Sequence, residues 1–580
     1  MSCFSKIFEK SNEFVSLGKS INPEGMPVGA TGVSESVKAH LIHSLMEIKQ
    51  NKALIIMPDE ASAVRMSENL GAIQAGVLFY PTREFTFQQV AGVSHEFEHI
   101  RLGVLSKIIN GDYRAVVCSA NAACQKTMPP DELKLLSLEI SDGDVIDIEQ
   151  IASKLVSAGY SRYDQVDGTS QFAVRGGIID IFPPGASEPA RIELWGDTVD
   201  GISSFDIATQ RRTGTLNKID IIPATEVLFK SNKKFAACID ELAASLKGKA
   251  IKARENLYAD AEVLKNGGSL TCNDKYLPLA YNSNGIFDYT EELLFVCESG
   301  KIKEKVNNQQ KLMDEQIKWY LESGNLCKGI DKFTLDFDEL KNIYSDHGAV
   351  YLDSLPRGSF DTPVAHLSSF TVQSFNAWNG TMEQLSEDIK PLYDKNYAIC
   401  IMAGTTRAGK ALAYDLNELG MNAVFCENMP SEFQKGVVTV INGSLNWGFQ
   451  LSDISFALIT HVKAFQKKKK NRAINSKNAI HSLDELSVGD YIVHNVHGIG
   501  IFEGIHALEL NKVKKDYIKI SYAKGDTLYV PVTQLDLVSK YIGPREDSNV
   551  KINRLGGSEW KKAKARVRSS VKDMAKELIA

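Results

Sequence analysis

After a glycine-rich stretch that ends at Ser36, the apolar residues Val37, Leu41, Leu45 and Ile48 recur at helical spacing, and Ala53-Leu54-Ile55-Ile56-Met57-Pro58 follows as an unbroken apolar run closed by proline. The first pattern predicts an amphipathic helix, the second a short buried strand. Loop, helix and buried strand in that order predict the opening of an α/β domain, and the alternation continues to about residue 125. From Val166 to Phe229 the pattern becomes strand-rich. Phe172-Ala173-Val174-Arg175-Gly176-Gly177-Ile178-Ile179-Asp180-Ile181-Phe182 and Arg191-Ile192-Glu193-Leu194-Trp195 are each bounded by turn residues and predict a compact α/β or β-rich insert. Residues 230–345 read as largely helical, including the polar run Lys301 to Tyr320, and a second α/β segment follows from about 346. Lys463 to Lys477 carries seven basic residues and no acid, and reads as a linker. Beyond it, Tyr491 to His494, Gly500 to Phe502, Tyr517 to Tyr522 and Leu528 to Pro531 predict four short strands, with Lys524-Gly525-Asp526 as the last turn. Strands so closely spaced suggest a small barrel. Ser558, after Gly556-Gly557, is placed to cap a final basic amphipathic helix.

Composition bounds this picture. A chain of 580 residues exceeds the roughly 250–300 at which single cores stop growing, so several domains are required. An apolar content of 43% and a net charge of −6 describe an ordinary globular protein, so any basic function must be local. No run approaches the roughly 18 apolar residues of a membrane span, and Met1 to Lys19 lacks a signal-peptide core. A cytoplasmic protein with no membrane partner is expected. The nine cysteines are odd in number and form no C-x-x-C pair, which predicts free thiols, with Cys118 and Cys400 as core residues inside apolar strands.

Four motifs suggest chemistry. Gly29-Ala30-Thr31-Gly32-Val33-Ser34-Glu35-Ser36 has the frame of a phosphate-binding loop, but Ser34 and Glu35 stand where Gly-Lys should. A carboxylate in place of the ammonium turns attraction to phosphate into repulsion, roughly 4 kcal/mol per charge pair at surface-like dielectric. The frame of Gly29, Gly32, Ser34, Glu35 and Ser36 is therefore read as degenerate, with no cofactor bound. Gly404 to Ala411 meets the same spacing and keeps Lys410, but Ala411 lacks the Mg²⁺-binding hydroxyl, and no downstream strand ends in an aspartate. His95-Glu96-Phe97-Glu98-His99 is a literal H-E-x-x-H, for which no third zinc ligand can be named, and a polar helix face explains it equally. His494 and His497 also suggest metal, although a hairpin turn at Gly498-Ile499-Gly500 accounts for them more simply. No catalytic and no metal residue is assigned.

A longer set of residues points to one family. Gly159-Tyr160 with Arg162, Phe172-x-x-Arg175-Gly176-Gly177-Ile178-Ile179-Asp180-Ile181-Phe182-Pro183, Ile192 to Trp195, Phe205-Asp206, Gln210-Arg211 and Pro223-Ala224-x-Glu226 resemble the UvrB-homology region of the bacterial transcription-repair coupling factors. Val488 to His494 with His497 to Gly500, Leu528 to Val532, and Leu555-Gly556-Gly557-x-x-Trp560 resemble that family's RNA-polymerase-interacting domain and the helix behind it. The resemblance is weakest between about 235 and 460.

The resemblance implies an α/β multi-domain chain. Its parts are a UvrB-like α/β domain with the degenerate loop (1–127), an inserted UvrA-binding domain (128–222), the remainder of the UvrB-like domain (223–345), a second α/β domain (346–462), a basic linker (463–483), a small SH3/Tudor-like β-barrel that binds RNA polymerase (484–545), and a linker with a basic helix (546–580). It implies UvrA contacts at Arg162, Arg175 and Phe182, and contacts to the RNA polymerase β subunit at Ile505 and Leu508. Phe79 to Phe85 stands where UvrB carries a longer DNA-clamping hairpin, and is too short to form one. The family continues into a double helicase-like motor that uses ATP and Mg²⁺ and makes most double-stranded DNA contacts. This sequence lacks that motor, so the expectation is a bridging protein that is not an enzyme by itself. The competing expectation is a nucleotide-dependent DNA helicase or repair ATPase, and a weaker one is a zinc hydrolase at His95 and His99.

Overall fold

A computed structural model describes residues 2–88, 95–207, 209–246, 250–270, 272–376, 378, 382–443, 445, 447–460, 488–510, 513–531, 537–541, 552–555, 560 and 562. Its first unit is built on a seven-stranded parallel sheet. The spatial order is His366–Ser369, Val28–Thr31, Val350–Asp353, Leu293–Cys297, Ala53–Met57, Ala115–Ser119, Val77–Tyr80. Parallel strands covered on both faces must be apolar throughout. Ala53–Met57, Ala115–Ser119 and Leu293–Cys297 are accordingly buried at every position. The last of these lies centrally in a stretch read from sequence as helical, where its five residues are too few to reveal a period. Val350–Asp353 and His366–Ser369 carry this sheet past residue 346, where the sequence reading starts the second α/β unit.

Two helix starts flanking this sheet are capped by their own sequence. The Asp59 carboxylate accepts from Ser62 N at 2.9 Å and Ser119 Oγ accepts from Ala122 N at 3.1 Å. Between Met128 and Ala224 the chain leaves this unit to form the insert. Leu138–Ser141 and Lys218–Ile221 pair antiparallel at its base. Above them stands a six-stranded sheet in the order Arg212–Leu216, Thr198–Phe205, Ala190–Trp195, Ile178–Phe182, Gln171–Arg175, Ser161–Arg162. Ile151 and Leu155 of the helix Ile148–Ser157 share one core with Phe172, Ile179, Ile181 and Ile192.

The second α/β sheet runs Val372–Asn376, Trp447–Leu451, Phe456–Thr460, Ala398–Met402, Val438–Ile441, Ala423–Cys426. It shares a hydrophobic core with the first unit, in which Phe4, Leu41 and Leu45 meet Phe433, Phe449 and Phe456. The C-terminal module is an antiparallel five-stranded sheet, Thr527–Pro531, Val513–Ser521, Gly498–Leu510, Tyr491–His494, Val538–Lys540. Among the described residues its outermost strands do not pair with each other, where the sequence reading has a small barrel. The free cysteines expected from the odd count are free, and Cys118 and Cys400 are buried. Among the described residues no helix is long and apolar enough to cross a membrane.

Candidate interaction sites

The phosphate-loop frame is occupied by the protein's own charges. Val28–Thr31 delivers the chain to Gly32, whose φ of +72° only glycine adopts freely, and a Cβ there would stand 2.0 Å from Phe370 O. Glu35 opens the helix Glu35–Lys49, and one turn on, Lys38 is fully buried. Its ammonium pairs with Glu298, with Glu35 at 3.4 Å, and donates to Ser354 Oγ at 3.1 Å. Burial alone would depress the Lys38 pKa, yet the Cys297 thiol and the Glu298 and Glu35 carboxylates hold it above its ordinary value. An internal ion cluster thus stands where a working loop would leave helix N–H groups open to phosphate. At the second frame, Thr405 Oγ1 accepts from Ala408 N at 3.3 Å and Gly404 N donates to Gly443 O at 2.8 Å. Lys410 lies over the Phe425 ring, 6.0 Å from its centroid.

The H-E-x-x-H residues belong to a buried ionic network. The helix Glu96–Ile109 starts at Glu96, which leaves His95 at its N-cap. His95 Nδ1 and Glu98 Oε2 are 2.7 Å apart, and the bond and charge of Glu98 raise the His95 pKa. His99 Nε2 faces Ser170 Oγ at 3.0 Å and Ala224 O at 3.2 Å, and burial pushes its pKa down to about 4. Both rings are thereby committed to neighbours, and among the described residues no group of three metal-ligating side chains occurs. Glu98 accepts from Glu226 N at 2.7 Å and Thr225 Oγ1 at 2.6 Å. Glu226 in turn takes Arg101 Nε at 2.6 Å and Thr127 Oγ1 at 2.7 Å, while Arg83 spans Glu226 at 3.3 Å and Asp274 at 3.0 Å. Sequence reasoning assigned these five charged residues no role. Their available signal is Arg101 between Ile100 and Leu102, a cation inside an apolar period.

On the insert, the sequence-assigned residues fall in three environments. Arg162 is exposed on the edge strand, opposite Phe172 in register, and makes no ion pair among the described residues. Arg175 lies three residues beyond Phe172 on the adjoining strand, about 10 Å along it at strand rise, so the two arginines present separate cations. Arg175 pairs with Asp180, which is buried and also binds Arg191 Nε at 2.7 Å. Phe182 is only 3% exposed, packed with Val166, Ala173 and Phe205. This places it beneath the surface.

On the C-terminal sheet, Ile492, Phe502, Ile518, Ile520, Val530 and Val538 form the core. Ile505 follows a register shift after Phe502 and is 46% exposed. Leu508 stands opposite Lys515 in the backbone register, and its side chain lies outside the described residues. His494 Nδ1 accepts from Val496 N at 3.1 Å and His497 N at 3.3 Å, a turn-closing role. All of the basic linker and most of the final helix also lie outside the described residues, but Trp560 Nε1 donates to Asn495 O at 3.1 Å.

A parallel α/β unit with an internally neutralised loop, a six-stranded insert, a second α/β sheet and an appended five-stranded module define the class as a multi-domain α/β protein. Comparison with known families matches two segments of the chain. A family model described as UvrB interaction domain matches residues 138–227, and one described as CarD-like/TRCF RID domain matches residues 486–542. The chain is 33% identical over 566 residues to the transcription-repair-coupling factor of Bacillus subtilis strain 168, which covers 94% of this chain and 48% of that protein. It is 27% identical over 606 residues to the transcription-repair-coupling factor of Staphylococcus aureus strain MRSA252, covering 100% of this chain and 50% of that protein. The chain is homologous to the N-terminal half of the bacterial transcription-repair coupling factors, and spans about half the length of the curated relatives it matches.

Proposed function

We propose that this chain acts in transcription-coupled nucleotide-excision repair as a bridge, binding RNA polymerase through residues 484–545 and the repair protein UvrA through the insert at 128–222. The observation that carries this reading is the presence of both recognition modules on one chain, a UvrB interaction domain and a CarD-like/TRCF RID domain. The insert offers exposed guanidinium groups at Arg162 and Arg175, which suit bidentate pairing with carboxylates because the fork is planar and weakly hydrated. The C-terminal sheet, curled as an SH3/Tudor-like barrel, docks on the polymerase β subunit by strand addition, with affinity from main-chain bonds and specificity from side chains such as Ile505 and Leu508. ATP-dependent release of polymerase and movement along double-stranded DNA belong to the whole family architecture with its ATP- and Mg²⁺-using motor. The reading places the protein in the cytoplasm.

The test is a pull-down of purified UvrA by the full chain. Arg175→Glu is expected to abolish capture while RNA polymerase still binds. A folded Arg175→Glu chain that captures UvrA at wild-type strength removes the assignment.

A further inference from the structure

Trp195 is 82% exposed, the extreme value among the large apolar side chains described, and belongs to none of the hydrophobic cores. Its position follows from the strand period. Ile192 points into the core beneath the insert's helix, so Glu193 and Trp195 alternate onto the opposite face. Register places Ile178 beside Glu193 and Arg175 beside Ile178, which brings Arg175 onto this same face and end. The secondary core of that face, around Phe182 and Phe205, lies toward the other end and leaves the Trp195 end uncovered.

Two tight hairpins hold this end. Trp195 pairs with Thr198 around a two-residue Gly196-Asp197 turn, and Arg175 pairs with Ile178 around Gly176-Gly177. Gly196 and Gly176 have φ of +64° and +59°, as such turns require. Leu194 N donates to Gly177 O at 2.8 Å and staples one hairpin to the other. A Cβ at Gly176 or Gly196 would meet nothing within 4 Å, so the rim around the indole is bare. A large aromatic group presented on a fixed turn loses little conformational freedom on binding, and tryptophan and arginine are the residues that dominate interface energetics. The flanking charges are polarised. On one side Arg175 and Arg191 share the Asp180 carboxylate and Arg212 pairs with Glu193, which leaves a net positive charge, and on the other Asp197 is exposed without an ion pair among the described residues.

We propose that Trp195 is the apolar anchor of the insert's partner interface, entering an apolar pocket on UvrA whose rim carries a carboxylate toward Arg175 and a cation toward Asp197. The inference rests on the reading that UvrA docks on the insert, and names the side chain that supplies most of the contact.

The experiment measures UvrA binding to the full chain by interferometry for wild type, Trp195→Ala, Trp195→Phe, Asp197→Lys and Arg175→Glu, with thermal melts of each. Trp195→Ala should weaken binding about 30-fold or more, the range of interface anchors. Trp195→Phe should recover part of the loss, Asp197→Lys should weaken binding several-fold, and the melts should coincide because the indole supports no core. Wild-type affinity in Trp195→Ala alongside lost affinity in Arg175→Glu overturns the anchor and leaves the interface reading intact. A lowered melting temperature in Trp195→Ala makes the residue structural and also overturns it. Absence of wild-type binding to UvrA removes the interface reading, and the anchor with it.

Discussion

Replacing Glu226 by alanine tests the buried ionic network where the insert rejoins the first unit. Glu226 and Arg101 are both fully buried, joined at 2.6 Å, with Arg101 Nη1 also donating to Pro81 O at 3.1 Å and Gln125 Oε1 at 3.0 Å. Truncating the carboxylate leaves the Arg101 guanidinium in the interior beside a second cation, Arg83, while its remaining acceptors are neutral. Loss of one neutral hydrogen bond costs about 1 kcal/mol, whereas an uncompensated buried charge costs roughly 3–5 kcal/mol, so the charge decides the outcome. Unfolding of so large a chain is not two-state, and the suitable readout is native-state hydrogen exchange of the helix Glu96–Ile109, which carries Arg101. Exchange there should accelerate roughly 10²- to several-thousand-fold, as 3–5 kcal/mol requires at about 1.4 kcal/mol per decade. The double variant Arg101→Met/Glu226→Leu, which removes both charges, should be less perturbed than the sum of its single changes. Less than tenfold acceleration in Glu226→Ala, or strict additivity in the double variant, would refute the reasoning.

Three further outcomes are expected. His40 is buried between Phe4 at 4.6 Å and Phe449 at 5.0 Å, with neither ring nitrogen hydrogen-bonded among the described residues, and burial holds its pKa down at about 3. Its folded value lies below its unfolded one, so its contribution is complete above pH 6.5 and is lost as pH falls toward 3, at about 1.4 kcal/mol per pH unit. His40→Leu should flatten the stability profile measured between pH 7 and 5, and equal slopes in the two proteins would contradict this. Titration calorimetry with Mg-ATP should be flat, because Lys38 is paired to Glu298 and Lys410 faces Phe425; saturable binding lost in Lys410→Ala would restore the ATPase reading. Leu508→Arg should abolish polymerase binding with an unchanged thermal transition, and a large fall in that transition would place Leu508 in the core instead.

The sequence carried the parallel-sheet opening because Val37, Leu41, Leu45 and the 53–57 run show helical and strand signals without tertiary help. It hid Leu293–Cys297, since five apolar residues beside a polar helix carry no period of their own. Val350–Asp353 and His366–Ser369 were placed with the wrong sheet because strand order in space is set by long-range parallel pairing, which leaves no local mark. Arg162 and Arg175 are singled out by their spacing within the family pattern, and their exposure on adjoining strands is a feature that spacing alone does not give. The buried position of Phe182 follows from alternation along Ile178–Phe182, but which face is covered depends on loops holding Val166 and Phe205. Glu98 and Glu226 are 128 positions apart in the chain, so their meeting with Arg83 and Arg101 could be seen only in the fold.

The central claim is that one chain joins transcription to repair. Its most direct test immobilises RNA polymerase, adds the full chain, and measures UvrA retention. The account predicts that UvrA is retained only when the chain is present, and that retention is lost with either Arg175→Glu or Leu508→Arg, while Arg175→Glu leaves the chain itself on the polymerase. Retention of UvrA without the chain, or binding of polymerase and UvrA that proves mutually exclusive, would contradict it.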